Sequence, residues 1–270
     1  MTSQREKAER FLALHHRDAP LLMPNPWDIG SARILESLGF EALATTSSGF
    51  AATLGRLDGR VTVDEALAHA ADVAGAVDVP VSADFENGFA DDPAAVAANI
   101  TRAVATGLAG CSVEDYSRAS GLYARELAAE RVAAAAEAAH AGDVHLVLTA
   151  RAENLIRGNP DLADTIARLQ SFQESGADVL FAPGLSTLED IRQVVAAIDR
   201  PLSVLALPTA PTVAELGDAG VKRVSVGGSF YYAGVGAVAD AARELLEQGT
   251  YGFWATAGPG SGVARAAFNS

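Results

Sequence analysis

The stretch VPVSADFENGFADDPAAVAANITRAVATGLAGCSVE, residues 79–114, contains one complete unit of the pattern that decides the fold. It begins with a short apolar run, 79–84, which is typical of a strand buried on both faces. Asp91-Asp92-Pro93 is a helix-start signal. Four apolar residues then recur at four-residue steps: Val96, Ile100, Val104 and Leu108. A second apolar run, 110–114, follows a helix-ending glycine, so the stretch predicts a strand, a helix and a parallel strand.

Apolar runs of this kind recur along the whole chain, and most are followed by a helix-like segment. Eight are interpreted as strands: 21–24, 41–46, 79–84, 110–114, 145–150, 178–182, 201–206 and 222–227. Eight strand–helix units in 270 residues, with no linker or low-complexity break, predict an α/β fold made of one (β/α)8 barrel of the TIM type. A doubly wound sheet is the alternative, but it usually has fewer strands and would leave units unplaced.

The two ends of the chain fall outside the eight units. We expect one barrel domain over residues 1–270, with a leading helix at 1–18 and a closing helix and tail at 228–270. The segment GPGSG, 258–262, is predicted to be a flexible breaker. Three aromatic residues of the tail suggest a contact with another subunit: Tyr251, Phe253 and Trp254.

Composition excludes several classes of partner. The formal net charge of −14 argues against binding to nucleic acid or to an anionic membrane. A single cysteine, Cys111, excludes an intramolecular disulfide and a cysteine-rich zinc site, and it is typical of a reducing compartment. The polar start of the chain carries no apolar core of signal-peptide length. The five histidines show no metal-binding spacing and are assigned to surface or packing roles. These features predict a soluble, cytoplasmic protein.

Acidic residues stand where several predicted strands end, and in a (β/α)8 barrel the active site lies at that end. Asp84 and Glu86 close the third strand, Glu114 closes the fourth, and Asp58 lies in the loop behind the second. Arg151 closes the fifth and is the only cation that the sequence places at a strand end. Four carboxylates at one mouth suit Mg²⁺ or Mn²⁺ far better than zinc. The alternative is that these acids cap helices or stay solvated.

The repulsion between Asp84 and Glu86 raises a question of its own. Residues two apart in a strand point to the same side, so the two carboxylates should lie together. Something must then offset their repulsion: a proton, a cation or open water. A divalent cation is the interpretation favoured here.

Four segments resemble motifs of the isocitrate lyase and phosphoenolpyruvate mutase superfamily, in its short-chain form. They are NPWDIGSARILESLGFEALATTSSGFAATLG at 25–55, VPVSADFENGF at 79–89, GCSVED at 110–115 and LTARAEN at 148–154. The resemblance extends from about residue 8 to residue 240. It implies a Mg²⁺ ion on Asp84, with Asp58, Glu86 and Glu114 as further direct or water-mediated ligands. It also implies catalytic roles for Asp58, Glu114 and Arg151.

The same resemblance implies a small 2-oxo acid as the substrate, chelating the metal through its carboxylate and keto oxygens. Arg151 would bind the anionic far end of this acid. The residues implied to surround its carboxylate are Trp27, Thr46, Ser47, Ser48 and Gly49. The shared reaction breaks a C–C or P–C bond next to the carbonyl and develops a metal-stabilised pyruvate enolate. The family also implies a homotetramer in which the last helix is exchanged between subunits.

The loop after the fourth strand departs from the family's lyases. They carry a Lys-Lys-Cys-Gly-His motif there, whereas this chain reads DYSRASGLYARELAAERV, 115–132. Cys111 lies inside a strand and is interpreted as a small core residue. Cleavage of isocitrate or methylisocitrate is therefore disfavoured, and a Mg²⁺-dependent lyase or hydrolase of an oxaloacetate-like acid is favoured.

Two alternatives stay open at this point. One is a phosphonate mutase or hydrolase, of the phosphoenolpyruvate mutase or carboxyphosphonoenolpyruvate phosphonomutase type. A phosphonate dianion would call for more cations than Arg151 alone. The other alternative is a barrel that binds a metabolite without turning it over.

Overall fold

A helix at the start of the chain covers one end of the barrel. In the computed structural model, which describes residues 2–269, α1 spans Gln4–Leu14. Ser3 and Glu6 form a capping box at its first turn. Phe11 is fully buried against Gly110, where a Cβ atom would lie only 2.7 Å from the Phe11 ring. Since residue 110 begins a strand, α1 closes the amino-terminal end of the barrel, as the predicted leading helix should.

Eight parallel strands form the barrel wall, and a short antiparallel hairpin of two more strands lies outside it. The barrel strands are β1 Leu21–Met23, β2 Leu43–Ala44, β3 Val81–Asp84, β4 Gly110–Glu114, β7 Val147–Arg151, β8 Val179–Phe181, β9 Leu202–Leu205 and β10 Arg223–Ser225; the hairpin strands are β5 Tyr116–Ser117 and β6 Gly121–Leu122. The order in the sheet is β1-β10-β9-β8-β7-β4-β3-β2. The Ala44 N–H donates to the Pro24 carbonyl at 3.1 Å, which joins the two ends of the sheet. The predicted (β/α)8 barrel is confirmed, and the strand limits agree within two residues.

Helices surround this wall. Those after α1 are α2 Ile29–Ser37, α3 Ser47–Thr53, α4 Val63–Ala76, α5 Pro93–Val104, α6 Arg125–His140, α7 Leu162–Glu174, α8 Leu188–Ala197, α9 Val213–Asp218, α10 Ser229–Gln248 and α11 Trp254–Phe268. A 3-10 turn covers Asn154–Ile156. No helix within residues 2–269 combines the length and the apolar character needed to cross a membrane.

The α5 unit shows how the sequence signals act locally. Asp92 caps the helix, accepting a hydrogen bond from the Ala95 N–H at 2.9 Å, and Pro93 is its first residue. Val96 and Ile100 are fully buried against the barrel wall. The barrel interior is different, because several of its buried side chains carry hydroxyl groups: Ser82, Ser112, Thr149, Ser203 and Ser225. The space beneath the mouth is therefore polar.

The tail corrects one expectation. Residues 258–262, predicted to be a flexible breaker, lie inside α11, with Pro259 in the helix interior. This helix packs against α2 near its end, where Phe268 approaches Gly30 and Ala267 is buried. Residues 258–262 are themselves exposed, so the packing of the helix end on α2 accompanies a helix that tolerates the poor propensity of glycine and proline. By contrast, α10 buries none of its side chains within this chain. Exchange of the tail between subunits stays a prediction.

Candidate active site

Three of the predicted site residues meet at the carboxyl ends of neighbouring strands. Glu114 lies opposite Arg151 in the register of β4 and β7, and Asp84 ends the adjacent β3. Arg151 Nη1 lies 3.6 Å from Glu114 Oε2 and 3.8 Å from Asp84 Oδ1. Its Nε pairs with the fully buried carboxylate of Glu153. The arginine at the mouth is thus held by three acids.

Burial and neighbouring charges shift the pKa values of Glu114 and Arg151. Burial raises the pKa of Glu114 well above its usual range, and the charge of Arg151 opposes that rise. For Arg151, burial disfavours the charged form, but the carboxylates of Glu114, Glu153 and Asp84 outweigh it and raise the pKa. Arg151 therefore stays a cation, whereas burial favours the protonated form of Glu114.

Asp84 is fixed by the loop that follows β2. Its Oδ2 accepts a hydrogen bond from the Ser47 N–H at 3.0 Å, and its own N–H donates to the Thr45 hydroxyl at 3.0 Å. Thr46 caps α3 by accepting from the Gly49 N–H at 3.3 Å. The metal-ligand candidate and the substrate-loop candidates therefore form one hydrogen-bonded unit.

The side chain of Glu86 faces the mouth, but not because of strand alternation, as the sequence suggests. Strand β3 ends at Asp84, and Glu86 lies beyond it with a left-handed φ of 46°, so strand alternation does not set its direction. Burial, and then the carboxylates of Asp84 and Asp58, raise the pKa of Glu86 to about 8. At neutral pH a proton on Glu86 relieves the repulsion, and a cation would displace that proton.

Asp58 presents an oxygen that lacks a protein partner. Its Oδ1 is buried and accepts no hydrogen bond from the described residues, while Oδ2 lies 3.9 Å from Arg118 Nη2. Because the surrounding donors are carboxylate oxygens, this set fits a hard cation such as Mg²⁺. The four acids are spaced too widely for three of their oxygens to lie within 4.8 Å of one another. Such spacing suits Mg²⁺, which takes one or two carboxylates directly and reaches others through water.

Two adjacent cavities occupy the mouth. The outer one, of about 420 Å³, is lined by Glu86, Glu114 and Tyr116 of the hairpin, among others. The inner one, of about 170 Å³, lies above the polar barrel interior and is lined by Thr46, Ser47, Ser48 and Asp84, among others. Both share Ser47, Asp58 and Arg151.

Two implied substrate residues line neither of these cavities. Gly49 is buried behind the loop, and Trp27 lies directly behind it, so that a Cβ on Gly49 would be 3.2 Å from the Trp27 Cβ. Trp27 also packs edge-on against Tyr231 at 5.4 Å between ring centroids. Both residues support the loop from behind.

Sequence reasoning missed three cations that line the two cavities. Arg118 and Arg157 line the outer cavity, and Arg223 lines the inner one. Arg157 stacks on the Tyr116 ring at 3.9 Å and pairs with Glu153 at 2.8 Å. The prediction of Arg151 as the only cation was therefore incomplete. Arg118 and Arg157 lie in loops and Arg223 begins strand β10, and no local pattern indicates where such side chains point.

A separate cluster lies at the opposite end of the barrel. His140 Nε2 and His145 Nε2 each lie 3.0 Å from one oxygen of Asp178, and the two rings stack at 4.0 Å. The three ligand atoms lie within 4.8 Å of one another, close enough to hold a metal ion. The sequence shows no metal-binding spacing here because the three residues belong to a helix end and to the segments just before two strands.

An acidic mouth with an ion-paired arginine, at the carboxyl end of a parallel barrel, defines an enzyme site of the (β/α)8 class. The family model of phosphoenolpyruvate phosphomutase matches residues 11–246, and the chain belongs to this family, within the isocitrate lyase and phosphoenolpyruvate mutase superfamily. The resemblance seen in the sequence is confirmed. The chain is thus an enzyme of a superfamily of C–C and C–P lyases and mutases.

Three relatives illustrate the similarity. A protein of Burkholderia cenocepacia J2315, described as a lyase or mutase, is 45% identical, with a TM-score of 0.93 over 97% of this chain and 96% of its own. The 2-methylisocitrate lyase of Halalkalibacterium halodurans is 29% identical over 74% of this chain and 67% of its own. The structure of 2,3-dimethylmalate lyase is 27% identical, with a TM-score of 0.83 over 93% of this chain and 90% of its own.

Proposed function

We propose that this protein is a Mg²⁺-dependent lyase or hydrolase that cleaves the C–C bond next to the carbonyl of a small, oxaloacetate-like 2-oxo acid. The observation that carries the proposal is the set of carboxylates facing the mouth beside Arg151, including the unpartnered Asp58 Oδ1. Asp84 would bind the cation directly, with Asp58, Glu86 and Glu114 as direct or water-mediated ligands. Mn²⁺ would substitute for Mg²⁺ at such oxygen donors.

When bound, the cation would supply positive charge beside the substrate's carbonyl oxygen as the neighbouring bond breaks. The chain's own residues would bind and orient the acid. The Ser47 N–H is already donated to Asp84, and the hydroxyls of Ser47 and Ser48, which line the inner cavity, would hold the substrate carboxylate. Arg151 would meet the anionic far end, and the raised pKa of Glu114 suits a group that holds a proton during the reaction.

A phosphonate P–C mutase or hydrolase is the second candidate. Arg118 and Arg157 favour it, because they bring to the outer cavity the additional cations that a phosphonate dianion requires.

Substrate depletion would separate the two candidates. Oxaloacetate, phosphonopyruvate and a malate-type acid are each incubated with the protein and Mg²⁺, with and without EDTA. Loss of oxaloacetate that EDTA abolishes supports the proposal, and loss of phosphonopyruvate alone supports the second candidate. If no acid is consumed with Mg²⁺ or Mn²⁺, both are wrong.

We also propose that the chain is one barrel domain and works as a cytoplasmic homotetramer with its last helices exchanged. The exposed apolar surface of α10 and the start of α11 supports an assembly in which residues 236–256 contact another subunit. Val238 is 70% exposed, Leu246 is 86% exposed and Trp254 is 64% exposed. Cys111, a free and buried thiol, is in keeping with a reducing compartment.

A further inference from the structure

Arg223 projects into the barrel interior instead of outward to the helices. It begins β10 and is only 3% exposed. Its Nε donates to the Ser203 hydroxyl at 2.9 Å, and its Nη1 donates to the Thr149 hydroxyl at 3.0 Å. Its guanidinium carbon lies 6.0 Å from the centre of the Phe181 ring. The side chain is thus held in place by two neutral groups from β7 and β9.

This guanidinium has no counter-charge within residues 2–269. No carboxylate of that range lies within 4.0 Å of it, and its Nη2 donates to none of those protein atoms. Burial alone lowers the pKa of Arg223 to about 9, so the group is still charged at neutral pH. A buried cation without a partner is costly, which makes its retention in a barrel interior unusual.

Other buried arginines of the chain are compensated. Arg168 pairs with Asp115 at 3.0 Å and Asp164 at 2.9 Å. Arg131 donates to three backbone carbonyls, and the Asp91 and Asp115 carboxylates act on its charge. Arg223 has hydroxyl partners alone. Among these buried arginines, Arg223 is therefore the one whose charge an incoming anion would neutralise.

The unpaired cation lies on the wall of the inner cavity, together with Asp84, Ser47 and Arg151. The inner cavity, of about 170 Å³, has room for a small acid only. Asn25 and Ser225 on the same wall are polar as well. Three carboxylates already offset the charge of Arg151, so a substrate carboxylate beside Arg151 needs a further cation to be fully compensated.

We propose that Arg223, together with Arg151, binds the anionic far end of the substrate and thereby makes the site selective for small dianionic acids over monoanionic ones. The reaction class is itself proposed above, and this role of Arg223 rests on it. A carboxylate on Arg223 would gain charge-assisted hydrogen bonds in a site that excludes bulk water.

The test compares two acids of the same length by calorimetry in the presence of Mg²⁺, after each has been shown not to be consumed under these conditions. L-Malate ends in a carboxylate where 2-hydroxybutyrate ends in a methyl group. We expect the wild-type protein to prefer malate by about tenfold or more, as expected for a charged hydrogen bond. Arg223→Met should remove that preference by weakening malate binding alone. Arg200→Met, the same change at an exposed position, should keep it.

A second readout excludes a structural role. Without ligand, Arg223→Met should show a urea midpoint equal to or above that of the wild type, since an unpaired buried charge is removed. If Arg223→Met does not fold, Arg223→Gln, which keeps a donor for the Ser203 hydroxyl, is judged by the same malate preference.

The outcomes separate the two proposals. If the variant retains the malate preference, whatever its urea midpoint, the role of Arg223 is overturned and the reaction class is left standing. If the wild type binds neither acid, the proposed function fails, and the role of Arg223 fails with it.

Discussion

His15, beneath the barrel, should make the protein less stable as the pH falls. The residue is fully buried, its Nδ1 lies 2.8 Å from the Phe11 carbonyl, and its buried Nε2 has no hydrogen-bond partner among residues 2–269. Since a carbonyl can only accept, Nδ1 carries the proton and Nε2 carries none. Burial, and then the charge of Arg223, lower the pKa of His15 to about 3.

The sign and size of the effect follow from this lowered pKa. Below the unfolded pKa of about 6.5, the unfolded chain binds a proton at this position and the folded protein does not, so stability falls as the pH falls. The loss is about 1.4 kcal/mol per pH unit and ends only near the folded pKa. Between pH 7.5 and pH 5, His15 should therefore cost about 2 kcal/mol of unfolding free energy.

Urea unfolding at the two pH values measures this, with His15→Asn as the variant and the exposed His16→Asn as its matched control. Glu86 and Asp115 have raised pKa values, which act with the opposite sign, so the wild type alone is not diagnostic. The contributions of Glu86 and Asp115 are the same in wild type and His15→Asn, so they cancel in the difference in unfolding free energy between the two proteins. It should shift by about 2 kcal/mol in favour of the variant at pH 5. An equal difference at both pH values would refute the reasoning.

Three further predictions concern the site and the assembly. Asp84→Asn keeps an acceptor for the Ser47 N–H but removes the charge, so Mn²⁺ affinity measured by calorimetry should fall by about tenfold or more; unchanged affinity would mean that Asp84 is not a ligand. Arg151→Lys loses the planar fork, so KM for the substrate should rise by about tenfold with little change in kcat. A fall in kcat at constant KM would instead assign Arg151 to the transition state. Light scattering at micromolar concentration should give about four times the 27.8 kDa mass, and Leu246→Asp should lower it; a wild-type mass near 27.8 kDa contradicts the tetramer.

The strand and helix pattern could be read directly from the chain because it depends on local periodicity. Apolar runs and the capping signal at Asp92-Pro93 indicate elements whose side chains face a core on either side. Strand ends in a parallel barrel share one rim, so Asp84, Glu114 and Arg151 could be brought together from the sequence. The family motifs pointed in the same direction, and the match over residues 11–246 agrees with them.

Only the tertiary structure decided where loop side chains and unusual core residues point. Glu86 turns to the mouth through a left-handed backbone, Arg118 and Arg157 reach it from loops, and residues 258–262 stay helical although they are exposed. The unpaired charge of Arg223 could not be seen from the sequence, because the meaning of a buried cation depends on which groups surround it. Periodicity reports which face of an element is apolar, whereas compensation between charges depends on distances across the fold that no local pattern encodes.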